Sequence, residues 1–166
     1  MFAKIITGIL ALLLWLFPNW GNNQLQYLIR TNNTNIAAPK IISAIKEKDV
    51  AALEALMCKN IKDNEDDLQG KISALINAID GEITSSSWRT QGSYQENAYG
   101  GKQIVQSGID IFLTTPAGTY YFGIMWETAN NFAVEEVGIR SIGLIDPSDN
   151  IVIIIRATEG VGEWHD

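Results

Sequence analysis

Residues 102–128 read KQIVQSGIDIFLTTPAGTYYFGIMWET, and the alternation in this stretch decides the fold class. In an extended chain successive side chains point to opposite faces. Over 102–114 that places Val105, Ile109, Ile111 and Leu113 on one face. Pro116-Ala117-Gly118 is a tight turn, because proline presets φ and glycine tolerates the positive values such turns use. In 119–128 the even positions Tyr120, Phe122, Ile124 and Trp126 form a second apolar face. Two period-two strands joined by a short turn make an antiparallel hairpin with one face to be covered.

Working outward, Gly100-Gly101 is a turn, and 82–95 is mixed, with Ser85-Ser86-Ser87, Trp88 and Tyr94, which predicts an irregular strand or two. A loop at about 130–135 leads to a strand over 136–145. The turn Asp146-Pro147-Ser148-Asp149-Asn150 then precedes a buried strand from Ile151 to Ile155.

The chain before residue 82 has helical texture. Pro39 suits the first position of a helix, followed by Ile41, Ile42 and Ile45 on one face to about Lys48. Asp49 is an N-cap for a second helix striped by Val50, Leu53, Leu56 and Met57. A third helix starts in the acidic run Asp63, Glu65, Asp66, Asp67. It carries Leu68, Ile72, Leu75, Ile76 and Ile79 at helical spacing, and Gly81 ends it. Helices first and an antiparallel sheet after them predict an α+β fold, with the N-terminal helices packed on a curved antiparallel sheet.

The 166 residues include 46% apolar and 19% charged side chains, which suits one globular domain. The net charge is −7. Residues 1–35 hold Lys4, Arg30 and no acid, so the remainder carries ten bases against nineteen acids, a net of −9. Such a domain repels phosphate backbones, which argues against a nucleic-acid partner. Cys58 is the one cysteine. It precludes an intrachain disulfide and reads as a buried thiol at a helix end.

Residues 1–20, MFAKIITGILALLLWLFPNW, have a positive start at Lys4 and an apolar run from Ile5 to Phe17. That length suits a signal peptide or signal-anchor better than a full bilayer span. It predicts a membrane contact through this segment and a domain outside the cytoplasm, secreted or anchored. Residues 21–38 are expected to be a polar linker, 39–158 the folded domain and 159–166 a C-terminal tail.

The order of elements resembles the nuclear-transport-factor-2-like, or cystatin-like, cone. More narrowly, three segments resemble an uncharacterised family of small exported Gram-positive bacterial proteins, a domain of unknown function with that fold. They are Ile45-Lys46-Glu47-Lys48-Asp49, Leu56-Met57-Cys58-Lys59-Asn60-Ile61-Lys62 and Val137-Gly138-Ile139-Arg140-Ser141-Ile142, and they frame residues 40–145. Many of those relatives are lipoproteins with a leader cysteine; none stands here. The resemblance implies a fold and export, and no catalytic residues.

Chemistry-bearing groups are few. The acids at Asp63, Glu65, Asp66 and Asp67 fail the calcium-loop pattern, whose sixth and twelfth positions would be Leu68 and Ala74. They read as complements to a helix dipole. No metal site and no cofactor are expected. His165 is penultimate and leaves Ser85 to Ser87 without a usable base. A cone commonly encloses a pocket between sheet and helices. Its candidate residues here are Trp88, Tyr94, Asp110, Tyr121, Trp126 and Glu127. A pocket acid with a raised pKa would be a general base. The plainer expectation puts Asp110 and Glu127 on the solvated sheet face and the aromatics in the core.

The function expected is that of an exported or membrane-tethered, non-enzymatic binding domain. Its partner would be an unknown small molecule, peptide or cell-envelope component, apolar or cationic given the acidic domain; an oligomer stays open. The alternative is a small cone-fold isomerase or hydrolase that uses a pocket carboxylate.

Overall fold

The computed structural model describes residues 34–98, 102–130 and 136–157, without the side chains at 93–98, 102–103 and 129–130. The expected leader at 1–20, most of the linker and the tail at 159–166 lie outside those residues. The described chain is α+β. Helix α1 covers 34–46, and α2 (Val50–Ala55), α3 (Lys59–Asn64) and α4 (Leu68–Asn77) follow it. Then come β1 (Ser85–Ala98), β2 (Lys102–Thr115), β3 (Gly118–Asn130), β4 (Gly138–Ile145) and β5 (Ile151–Arg156). All strand pairs are antiparallel, in the order β1-β2-β3-β4-β5.

The hairpin forms in the register that its alternation demands. Ile109, Ile111 and Leu113 pair with Ile124, Phe122 and Tyr120. All six are buried on the helix-covered face, with Phe122 fully so. Gly118 has φ +136°, and a Cβ there would come within 2.6 Å of Pro147 Cβ, so the β2–β3 turn closes against the β4–β5 turn.

Four details differ from the sequence expectation. Helix α1 already includes residues 34–38, so the end of the expected linker is structured, and Ala37 and Ala38 are core. Pro39 lies inside α1 rather than opening it; this exposed proline removes one backbone bond and leaves the buried side of the helix intact. The expected third helix is two. The acidic run closes α3 and makes the turn into α4, whose N-cap is Asp67 in the left-handed region at φ 52°. Its acids serve local partners: Asp63 pairs with Lys59, Glu65 with Lys71, and Asp67 accepts from Gly70 N–H. Finally, β1 is one long strand. The irregularity expected in it is a bulge between Thr90 and Ser93, where Gln91 and Gly92 oppose Gly108.

The helices cover one face of the sheet. Asp49 caps α2 by accepting from Ala52 N–H at 2.9 Å. Ile41, Ile45, Leu53, Ile61, Ile72 and Leu75 are all at most 2% exposed and join the sheet residues in one core. The layers are also joined through backbone. Ile139 N–H donates to the Leu56 carbonyl at 2.8 Å, and the Ile139 carbonyl accepts from Cys58 N–H at 3.0 Å. Gly138, at φ +142°, permits this contact, since a Cβ there would lie 2.7 Å from the Leu56 carbonyl oxygen.

Ile72 is fully buried on α4 and Ile76 nearly so. Truncating either to Ala is expected to destabilise the domain by about 2–5 kcal/mol, the transfer and cavity terms together. Chemical denaturation of the variants measures this, and a loss below about half a kcal/mol would mean that α4 is not core.

Candidate functional site

The sheet face away from the helices carries a polar cluster around Asp110. Asp110 is 2% exposed although no described helix covers it; neighbouring side chains do. Its Oδ1 accepts from the Tyr121 hydroxyl at 2.7 Å. Its Oδ2 accepts from Arg89 Nε at 2.7 Å and Gln91 Nε2 at 2.6 Å.

Glycines make room for these donors. Gly123 pairs with Asp110 across the strands, and a Cβ on it would sit 3.3 Å from the Tyr121 hydroxyl, so Tyr121 lies over that vacancy. Gly108 likewise leaves space that Gln91 fills from the bulge. Phe112 lines the cluster, 5.5 Å from the Tyr121 ring centroid, with the Arg89 guanidinium 5.4 Å above it.

Burial alone would raise the Asp110 pKa. The hydrogen bonds from Tyr121, Gln91 and Arg89 and the Arg89 charge outweigh it, so the carboxyl sits below its ordinary value. Burial, then the Asp110 hydrogen bond and charge, push the Tyr121 phenol up to about 12. An anion held by three donors is a poor general base at neutral pH.

Glu127 is also on this side and also buried, at 1% exposure. It accepts from Gln106 Nε2 at 3.1 Å and lies 3.4 Å from Arg140 Nη1. Arg140 is the extra residue of a bulge in β4, which turns its side chain toward both Glu127 and Glu136. Glu136 additionally accepts from Asn60 N–H at 3.2 Å. The expectation that Asp110 and Glu127 face away from the core holds for their direction. It fails for their solvation, because cross-strand partners that alternation does not reveal enclose them. Cys58 lies beneath this region, fully buried, and burial pushes its thiol pKa up.

Two clefts on the helix side are lined by described residues. The larger, of about 660 Å³, lies where α1 and α4 end, over Ile45, Ile76, Ile79 and Ile83. Its rim mixes Lys46 and Lys48 with Asp80 and Glu82, and it contains no aromatic side chain. The smaller, of about 170 Å³, lies between α1 and the far end of the sheet. Ile36, Ala37 and Lys40 face it from α1, and Leu56 from the end of α2. Trp126 and Thr128 on β3 and Val137 before β4 complete the lining. Ile36 and Val137 are exposed at its mouth. Beside it, the buried hydroxyls of Ser107 and Thr128 make no hydrogen bond.

The six expected pocket residues therefore do not converge. Trp126 lines the small cleft. Trp88 is on the helix-facing side but 41% exposed, with a long 3.5 Å contact from its Nε1 to Asn35 Oδ1. Asp110, Tyr121 and Glu127 are on the opposite face. Tyr94 of β1 pairs with Gln106 of β2, and its side chain lies outside the described residues. Sequence reasoning missed Ile36, Lys40, Leu56 and Val137, which only packing brings together. It also missed Arg89, Gln91 and Arg140. Glycines beside Asp110 and Tyr121 were the available signal for the first two.

Among the described residues, no group of His, Cys, Asp and Glu could hold a metal ion. Among them also, no helix is long and apolar enough to cross a membrane. A family model described as Domain of unknown function (DUF5104) matches residues 40–147, well over half of the chain. No curated protein matches it at a significant level.

Asp110→Asn is expected to cost about 1–3 kcal/mol at neutral pH, since its donors lose a charged acceptor. The folded pKa is depressed below the unfolded value of about 3.9. The contribution of the carboxylate is thus present above that value and is lost as pH falls through the folded pKa. Urea denaturation at pH 7 and at pH 3 should show the gap between wild type and variant narrowing in acid. A gap of constant size would contradict the network.

Proposed function

The chain belongs to the DUF5104 family, whose description carries no activity, and we propose that it is an exported or membrane-tethered, non-enzymatic binding domain whose small cleft takes an apolar group. The observation that carries this reading is the separation of acids from cleft. The lining of the small cleft contains no carboxylate, histidine or thiol. The two carboxylates expected as pocket acids, Asp110 and Glu127, are buried on the other face and tied to internal partners. The isomerase or hydrolase alternative thus finds no carboxylate in the small cleft.

The cleft itself suits an apolar guest. Apolar cavities of about 150 Å³ accommodate a benzene molecule, and this one measures about 170 Å³. Trp126 offers a flat wall, and the exposed Ile36 and Val137 extend the apolar surface to solvent. Its position between helices and sheet agrees with the nuclear-transport-factor-2-like cone, and we extend the proposal to that fold. The exported, Gram-positive character of the resembling proteins and the uncharged run from Ile5 to Phe17 support placement outside the cytoplasm.

Two measurements test this. Fractionation of tagged full-length protein should find it in the membrane or outside the cytoplasm; a soluble cytoplasmic pool with an intact N-terminus overturns the export reading. Titration of the full chain in lipid nanodiscs with 2-phenylethanol, followed by NMR, should shift the Trp126 indole and the Leu56 and Val137 methyls. Shifts confined to Phe112 and Tyr121, or none, overturn the assignment of the cleft.

A further inference from the structure

We infer that the natural ligand of the small cleft is an organic anion: a carboxylate carrying an apolar group of about six carbons, aromatic or aliphatic. This rests on the cleft being the binding site, and it runs against the overall charge of the chain. A net of −9 after residue 35 would attract cations. The charge that a bound molecule meets at short range is different. Lys40 is the one charged side chain in the lining. It makes no ion pair among the described residues, whereas Lys59 and Lys71 each hold an acid.

Among the described residues, acids adjoin the lining segments at Glu127, between Trp126 and Thr128, and at Glu136, next to Val137. The Glu136 carboxylate is committed to Asn60 N–H and to Arg140. Glu127 and Asp110 project from the opposite face of the sheet and are paired there. Lys40 is thus the charge that a guest meets in the lining itself, and interactions beyond a Debye length of about 8 Å are screened at physiological salt. The remaining lining is apolar apart from Thr128. A carboxylate at Lys40 with its apolar group against Leu56, Trp126 and Val137 satisfies both parts. A phosphate-rich ligand would leave that apolar wall uncovered. The larger cleft carries both charge signs on its rim and selects neither.

The test uses three probes of one shape: phenylacetate, 2-phenylethanol and 2-phenylethylammonium. Each is titrated into the full chain in nanodiscs of uncharged lipid, with the Trp126 indole and Val137 methyl signals as readout. Phenylacetate is expected to bind about fivefold more tightly than the alcohol, the ratio a partly exposed ion pair supports, and the ammonium most weakly. Lys40→Gln should bring the phenylacetate-to-alcohol ratio close to one. Lys46→Gln, in the other cleft, should leave the ratio as it is. If the alcohol or the ammonium binds as tightly as phenylacetate, the anion inference is overturned and the binding reading stands. If Lys40→Gln leaves the preference intact, the anion inference is again overturned. If none of the three moves the Trp126 and Val137 signals, both fall together.

Discussion

Ile139 exchanges two backbone hydrogen bonds with the turn between α2 and α3, at 2.8 and 3.0 Å, and this contact fixes the helical layer on the sheet. Side-chain packing alone would let helices slide over a period-two surface. A backbone bridge sets the register at one point. It requires glycine at 138, because a Cβ would strike the Leu56 carbonyl, and it buries Met57 and Cys58 against β4. It also sets Leu56 near Val137, and these two residues form part of the wall of the small cleft. The cleft is thus a by-product of how the layers are joined: the bridge holds the far end of the sheet near α2, and α1 closes the side that remains.

The outer face of the sheet meets a different constraint. No described helix covers it, yet Asp110 and Glu127 on it are almost fully buried. Charges so placed are tolerated when paired and hydrogen-bonded. Each acid has such partners, and in each case a local irregularity supplies them. A bulge in β1 frees Gln91 to reach Asp110, and a bulge in β4 turns Arg140 onto Glu127. Both acids are thus held by internal partners. The aromatic members of this face, Phe112 and Tyr121, complete the packing of the cluster. The buried acids and the small cleft are therefore on opposite faces of one sheet, and Lys40 is on the side of the cleft.

The elements were legible in the chain wherever period and punctuation agree. The hairpin around Pro116 to Gly118, the stripe from Leu68 to Ile76 and the cap at Asp49 each follow from local geometry, and each occurs. Local rules failed where a residue had competing roles. Pro39 suggested a helix start, but the burial of Ala37 and Ala38 against the sheet extends α1 ahead of it. The acidic run looked like a helix start because acids favour that position, yet Asp67 caps α4 while Asp63 and Glu65 pair with Lys59 and Lys71.

What the sequence by itself determined is the α+β class and the apolar face of each hairpin strand, because these depend on backbone periodicity and turn chemistry within a few residues. It also determined that Asp110 and Glu127 point away from Trp126. What only the tertiary structure decided is the company those residues keep. Arg89, Gln91 and Tyr121 meet at Asp110 across three strands, and Lys40, Leu56, Trp126 and Val137 meet across four separate segments. Alternation fixes a direction but no partner. Partners depend on the strand register, on two bulges and on one glycine-permitted backbone contact, which couple positions as much as about a hundred residues apart.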